Sequence, residues 1–285
     1  MKNILVPTDF SELSENALKM AVDICRKKGS EIYLVNFTEH NFGDNYPTLG
    51  DTSGGSVGQD DVFQLQLVRK NHSRLSKLAE KHGASVKIHF QVYDEDFSDG
   101  YKLYIKEKNI DLVVMGTSGE ESYEEFFSGN HAQQVIEGAT CPVITVKDTY
   151  TQSTFNNIIV GIDLESDRKD NYAQAATYLN EFAETVVRKL HLVHVAELNS
   201  DKDKVQKEVE QLAEKSGFRN YTLNINQNDN VEQGLLAYSY AVNADMLVIL
   251  THKEGGLFRL FKKSVAEDLS KKSSRPIMTI NLHNI

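Results

Sequence analysis

The sequence lacks the features of a membrane-spanning or disulfide-stabilised protein. Its longest apolar runs, such as Leu112–Met115 and Met246–Leu250, are much shorter than the roughly 20 residues that cross a bilayer. The apolar stretch that follows Met1 is too short for the core of a signal peptide. Its two cysteines, Cys25 and Cys141, lie far apart with no CxxC spacing, which gives no support for a disulfide framework or a structural zinc site. We therefore expect a cytoplasmic protein with two reduced thiols.

The chain is also short of positive charge. Its 31 Lys and Arg residues against 41 Asp and Glu residues give a formal net charge of -10. This balance works against nonspecific attraction to nucleic acid or to anionic membranes, so we expect neither as a partner. The length of 285 residues, with 40% hydrophobic and 25% charged residues, describes a globular chain that could hold one core, two cores or a duplicated domain.

An internal repeat favours the duplicated domain. Four segments of the first half return in the second half in the same order: Asn3–Asp9 as Asn157–Asp163, Ile32–Glu39 as Leu190–Glu197, Ile110–Val114 as Ala244–Val248, and Cys141–Val146 as Arg275–Ile280. Such self-similarity indicates two copies of one structural unit. The repeat predicts one domain over residues 1–147 and a second over residues 155–285, joined by a short polar stretch.

The first copy carries an insert. The spacing between matched segments falls from 158 residues to 134 along the chain, a difference of 24 residues that lies between Glu39 and Lys77. Residues 40–62 are rich in Gly, Asp, Asn and Ser. We predict a flexible loop there, because such a composition buries little apolar surface.

Short β-rich runs alternate with helical patterns in each copy, which predicts an α/β fold of parallel strands joined by helical crossovers. In the first copy we expect strands near residues 3–8, 31–37, 85–92, 111–116 and 142–147. Ser11 is suited to cap the first helix, with Glu12 and Glu15 in its first turn. Cys25 lies on the apolar stripe of that helix, so we expect a thiol that packs rather than reacts.

In an open parallel sheet, ligands usually bind beyond the carboxyl ends of the strands. Two groups of residues fall there: Pro7, Thr8 and Asp9 after the first strand, and Gly116, Gly119, Gly129 and Asn130 after the fourth. Glycines would let backbone N–H groups approach a phosphate, and the helix that begins near Asn130 adds unpaired N–H donors. Asp9 could accept hydrogen bonds from a ribose or a base edge. The same residues could instead only turn the chain, with Asn130 as a cap and Asp9 ordering the turn.

Three segments of the duplicated chain carry a resemblance to a known family. The opening Ile4–Ser11, the segment Met115–Gly119 and the closing Cys141–Lys147 resemble the tandem universal stress proteins. The resemblance implies two tandem Rossmann-like domains, each a five-stranded parallel sheet flanked by helices, with a nucleotide over the first and fourth strands. It also implies that the final strands, near Val143–Val146 and Ile277–Ile280, pair across the copies as an intramolecular pseudo-dimer. A further homodimer is compatible with this arrangement.

The resemblance also implies a ligand and the residues that hold it. ATP-binding members of the family carry the pattern Gly-2x-Gly-9x-Gly-Ser/Thr. At those positions this chain has Gly116, Gly119, Gly129 and Asn130. These residues would hold the phosphates of ATP or AMP, while Asp9 and the backbone at Val35 would face the adenosine. Mg²⁺ would accompany ATP, and neither a resident metal site nor a catalytic residue is expected.

The loop between Gly119 and Gly129 departs from what a triphosphate needs. It contains Glu120, Glu121, Glu124 and Glu125 and no Lys or Arg. At about 4 Å each like-charge pair costs roughly 1 kcal/mol in water and about 4 kcal/mol at an effective dielectric constant of about 20. AMP, adenosine or a cyclic nucleotide would meet less repulsion than ATP.

The second copy departs further, because its glycine pattern is gone. Leu250, Lys253, Lys263 and Ser264 stand at the four positions, while Asp163 retains the acid after the first strand. The basic residues around Lys253 and Lys263 could hold an anion, or they could form a solvated loop.

Three functions agree with these patterns. The first is a stress-response regulatory protein that binds an adenine nucleotide in its first domain and changes a partner surface when the ligand binds. The second is an interaction or scaffold protein without nucleotide binding. The third is a slow ATPase, which would need a metal-activated water because the sequence supplies no evident general base. The sequence identifies neither the protein partner nor the stress signal.

Overall fold

The computed structural model describes residues 1–38, 59–117, 130–147, 155–164, 172–251 and 275–285. The strands in this part of the chain are Asn3–Pro7 (β1), Glu31–Phe37 (β2), Lys87–Tyr93 (β3), Leu112–Gly116 (β4), Val143–Val146 (β5), Phe155–Gly161 (β6), Val187–Ala196 (β7), Tyr221–Gln227 (β8), Met246–Thr251 (β9) and Ile277–Asn281 (β10). The helices are Glu12–Lys28 (α1), Gln59–His82 (α2), Phe97–Glu107 (α3), Asn130–Gly138 (α4), Tyr172–Val186 (α5), Lys202–Ser216 (α6) and Val231–Ala241 (α7). Among them, no helix is both long and apolar enough to cross a membrane.

The strands form one sheet in the order β3-β2-β1-β4-β5-β10-β9-β6-β7-β8. Neighbouring strands are parallel, except that β5 and β10 pair antiparallel with Ile144 opposite Met278. Each half therefore has the same strand order, and the halves meet edge to edge at their final strands. The predicted α/β fold and the predicted pairing of the final strands are confirmed. The strands of the first copy begin and end within two residues of their predicted positions. The division into domains at residues 147 and 155 stays a prediction.

Helices cover both faces of the sheet. One hydrophobic cluster contains side chains of α1, α2, α5 and α6, and the other contains side chains of α3, α4 and α7. Adjacent residues of β1 point to opposite clusters, since Ile4 and Val6 belong to the first and Leu5 to the second. Strands that are buried on both sides need apolar residues at every position, which explains the continuous apolar run of β4.

The two halves repeat the hydrogen bonds that hold the start of their first strands. The Asp111 carboxylate accepts a hydrogen bond from the backbone N–H of Asn3 at 3.0 Å. The Asp245 carboxylate accepts one from the backbone N–H of Asn157 at 2.9 Å. Hydrogen bonds to a charged group contribute about 1.5–3 kcal/mol each. The repeat seen in the sequence therefore extends to side-chain chemistry.

The predicted loop over residues 40–62 extends too far. Residues 59–62 form the first turn of α2, and the remaining residues of the prediction lie outside the described part of the chain. The polar composition that indicated a loop therefore also fits the start of a helix.

We expect both thiols to resist modification in the folded protein. Cys25 and Cys141 are buried. Burial is the main cause that raises the pKa of each thiol to about 12, and a carboxylate, Glu31 for Cys25 and Asp111 for Cys141, adds to the effect. Since the thiolate is the nucleophile, only about one thiol in ten thousand would be ionised at pH 8. A chromogenic thiol reagent should detect no fast-reacting group in native protein and two groups after denaturation. A rapid reaction of one equivalent in native protein would contradict the burial of these side chains.

Candidate functional site

A cleft of about 610 Å³ lies at the carboxyl ends of β1, β2 and β4. Its volume falls within the roughly 300–1,000 Å³ that is common for small-molecule sites. The described residues that line it are Pro7, Thr8, Asp9, Ser11, Leu13, Ser14, Asn36, Phe37, Phe97, Met115, Gly116, Thr117, His131 and Ala132. Elements from both faces of the sheet thus contribute to one cavity.

The sequence-predicted site residues divide into three groups. Pro7, Thr8, Asp9 and Gly116 line the cleft. Val35 does not line it, because its side chain is buried and its carbonyl accepts a hydrogen bond from the Thr8 N–H at 2.8 Å. Asn130 is the first residue of α4, directly before His131 of the cleft wall. Gly119 and Gly129, together with the four glutamates between them, lie outside the described residues.

The loop after β1 is fixed by its own side chains. The hydroxyl oxygens of Thr8 and Ser14 lie 2.9 Å apart, and the Phe10 N–H donates to Thr8 Oγ1 at 3.0 Å. Ser11 caps α1 as predicted, because its hydroxyl accepts a hydrogen bond from the Ser14 N–H at 3.2 Å. Phe10 adopts a left-handed backbone with φ of 67°, which is rare for a bulky residue. The Arg74 guanidinium lies 3.9 Å from the centre of the Phe10 ring and supports this conformation.

This loop presents Asp9 to the cleft as a charged and exposed side chain. The Ser11 N–H donates to Asp9 Oδ1 at 2.9 Å. Partial burial acts to raise the pKa of Asp9, but hydrogen bonds from Ser11 and Ser14 outweigh it, and the pKa is lowered from its ordinary value. Asp9 is therefore a carboxylate at neutral pH, suited to accept hydrogen bonds from hydroxyl or amine groups of a ligand.

Gly116 is explained by the packing of α1 on β4. A Cβ atom at this position would lie 2.5 Å from the carbonyl carbon and oxygen of Leu13 and 2.8 Å from the backbone nitrogen of Ser14. Only glycine leaves room for that approach of two backbones. The structure gives the residue this role whether or not a phosphate binds nearby.

Aromatic rings of Phe37, Phe97 and His131 form one wall of the cleft. The rings of Phe97 and His131 lie 4.4 Å apart between centroids, tilted by 32°, and Phe37 meets Phe97 edge to face at 5.4 Å. Sequence reasoning missed these three residues. Phe37 and His131 could have been found as neighbours of predicted positions, whereas Phe97 joins the site only because α3 packs against α4.

Asn36 connects the cleft to α2. Its side-chain NH₂ donates to the Thr8 carbonyl at 2.8 Å, and its Oδ1 accepts from the Asn71 side chain at 2.9 Å. Asn36 and Asn71 are both buried. The loop after β1 is therefore joined by a direct hydrogen-bond path to the helix that follows the insert.

The described residues of the second half do not repeat this site. Strand register places Leu250 beside Ile280 where the first half has Gly116 beside Val146. The hydroxyl of the buried Tyr172 bonds both the N–H and the carbonyl of Asp163 at 3.0 Å. Lys253, Lys263 and Ser264 lie outside the described residues. In the described part of the second half, Leu250 thus stands where the first half has Gly116, and the Tyr172 hydroxyl holds the backbone of Asp163 by hydrogen bonds.

Comparisons with known proteins agree with this fold. The model of the universal stress protein family matches residues 1–147. A universal stress protein of Methanocaldococcus jannaschii is 31% identical over 146 residues, which are 51% of this chain and 82% of that protein. A universal stress protein from Archaeoglobus fulgidus superposes with a TM-score of 0.63 over 98% of this chain and 96% of that chain, at 18% identity. A Pseudomonas aeruginosa protein of unknown function gives a TM-score of 0.57 over 99% and 92%, at 13% identity. At these identities the two structures show a shared fold across both halves.

Proposed function

Because the chain belongs to the universal stress protein family, we propose that it is a cytoplasmic stress-response regulator that binds one adenine nucleotide in the cleft of its first half. One observation carries the proposal. An ionised Asp9 carboxylate and an aromatic wall line the same cleft of about 610 Å³ at the carboxyl ends of the strands. Ligands of open parallel sheets bind at this edge.

The lining residues suit the parts of a nucleotide. Asp9 would accept hydrogen bonds from the ribose hydroxyls or the base edge. Phe37 and Phe97 would pack against the flat base. The N-terminus of α4 would attract the phosphate, with Gly119, Gly129 and Asn130 as its backbone donors. The glutamates between the two glycines favour AMP over ATP, and Mg²⁺ would accompany ATP if ATP binds.

The path from the cleft to α2 supports a regulatory role. A ligand at Asp9 would shift the conformation of the loop after β1. Asn36 and Asn71 connect this loop to α2, and the contact of Arg74 with Phe10 is a second connection. A partner surface that includes α2 or the insert would then respond to ligand as a population shift. The partner, in this proposal, is another protein, and a homodimer is one form that it could take.

The scaffold function is the second candidate, and Gly116 favours it. Because the packing of α1 accounts for this glycine, its presence does not require a phosphate. The loss of the glycine pattern in the second half points the same way.

One experiment separates these candidates. Purified protein would be denatured, any released nucleotide identified by chromatography and mass spectrometry, and AMP and ATP titrated calorimetrically with and without Mg²⁺. We expect AMP to bind without metal and ATP to bind only with Mg²⁺. No released nucleotide and no heat in any titration would overturn the proposal and leave the scaffold function.

We expect Asp9→Asn to weaken AMP binding about 10- to 100-fold, because a charged hydrogen-bond acceptor contributes about 1.5–3 kcal/mol. The asparagine amide oxygen can still accept the Ser11 N–H, so the loop should keep its shape. Calorimetry measures the change in affinity, and circular dichroism checks the fold. Asp163→Asn is the matched control, since Asp163 holds the equivalent position in the second half. Equal AMP affinity in both variants would contradict the role of Asp9.

A further inference from the structure

We propose that His131 selects phosphorylated ligands over uncharged nucleosides, because its imidazole lies at the end of the cleft that receives the anionic group. The inference rests on the proposed function and adds a specificity-determining residue to it. Neither the sequence patterns nor the family comparisons assign a role to this histidine.

The charges of the cleft are arranged at two ends. Asp9 precedes α1, which packs on one face of the sheet, and His131 lies in the first turn of α4, which packs on the other face. Among the described residues that line the cleft, only these two belong to the acidic and basic residue types. A carboxylate at the Asp9 end repels an anion. A ligand that places its hydroxyl or amine groups at Asp9 therefore has its anionic group at the His131 end.

His131 is held in a position to contact such a group. Its ring packs on Phe97 with a tilt of 32°, and Phe97 in turn packs on Phe37, while the His131 side chain remains exposed to solvent. A contact through the ring does not occupy the imidazole nitrogen atoms, and both of them can donate when the ring is protonated. The backbone N–H groups of the first turn of α4 lie beside it and add to the attraction for an anion.

The acidic side chain of Asp96 interacts with His131. Asp96 caps α3, and its pKa is lowered first by hydrogen bonds from Ser98 and to a smaller extent by His131. Asp99 lies in the same first turn of α3. Asp96 and a protonated His131 therefore attract each other.

Calorimetric titrations with AMP and with adenosine test the inference. His131→Gln should lower AMP affinity about tenfold, as expected for the loss of one charge-assisted hydrogen bond, and leave adenosine affinity unchanged. His131→Lys should restore the preference for AMP. His72→Gln is the matched control, because His72 is also exposed and contacts a phenylalanine, Phe90, but lies away from the cleft. It should change neither affinity.

The outcomes separate this inference from the function on which it rests. If His131→Gln lowers the affinities for AMP and adenosine equally, or lowers neither, His131 does not discriminate between ligands with and without a phosphate. The proposed nucleotide binding would be unaffected by that result. If wild-type protein binds neither AMP nor adenosine, the proposed function fails, and the inference fails with it.

Discussion

Gly116→Ala is expected to lower the free energy of unfolding by about 2–3 kcal/mol and to weaken AMP binding. Added methyl groups in a packed interior cost about 1–3 kcal/mol, and this site falls at the upper end because the opposing atoms are backbone atoms of Leu13 and Ser14. A backbone cannot rotate away as a side chain can. The first turn of α1 would have to move, and Leu13 and Ser14 are part of the cleft wall. Denaturant unfolding and calorimetry measure the two effects.

Gly161→Ala is the matched control for this prediction. Gly161 ends β6, the first strand of the second half, and a Cβ there would meet the Leu235 side chain at 3.4 Å, an ordinary contact. We expect a change in the free energy of unfolding within about 1 kcal/mol. If Gly116→Ala proved as stable as Gly161→Ala, the close packing of α1 on β4 would be wrong.

Glu232→Gln is expected to raise the free energy of unfolding at pH 8 by up to about 3 kcal/mol, with little change at pH 4. Glu232 is fully buried in α7, and neither of its carboxyl oxygens has a hydrogen-bond partner among the described residues. Burial raises its pKa from 4.5 to about 7. The stability that this raised pKa provides is complete below pH 4.5, where the group is protonated in both states, and is lost as the pH rises through 7.

Glutamine has the shape of the protonated acid but no charge. Residue 232 should therefore cause no fall in the free energy of unfolding of the variant between pH 5 and pH 8. Urea unfolding at several pH values measures this for wild type and variant. Glu208→Gln, at an exposed position of α6, is the control and should follow the wild-type curve. Parallel curves for wild type and Glu232→Gln would show that Glu232 is ionised without penalty.

Sequence patterns predict the fold because they report burial directly. The continuous apolar run of β4 reflects a strand covered on both faces, and the N-cap at Ser11 reflects a local hydrogen bond. Because the repeated segments return in the same chain order, they imply that both halves share one topology. The pairing of β5 with β10 came from the family resemblance, because no local pattern specifies which strand edges meet.

The candidate site could be predicted only in part. Asp9 and Gly116 could be predicted as site residues because they follow the ends of strands. The packing of α1 on Gly116 could not, because it depends on a distance between two backbones that no motif encodes. Phe97 reaches the cleft through helix packing. Glu232 had no signal at all, because a glutamate in the first turn of a helix is usually an exposed residue that favours the dipole. Such features arise from three-dimensional contacts between distant segments.

Photo-crosslinking with 8-azido-AMP, followed by peptide mapping, tests most directly whether the first half holds the nucleotide. We expect labelled peptides that contain Phe37 or Phe97, which line the cleft and would pack against the base, and loss of the label when unmodified AMP competes. Asp9→Asn should reduce this labelling, and Asp163→Asn should leave it unchanged. Label confined to peptides of the second half, or label that AMP does not displace, would contradict the account.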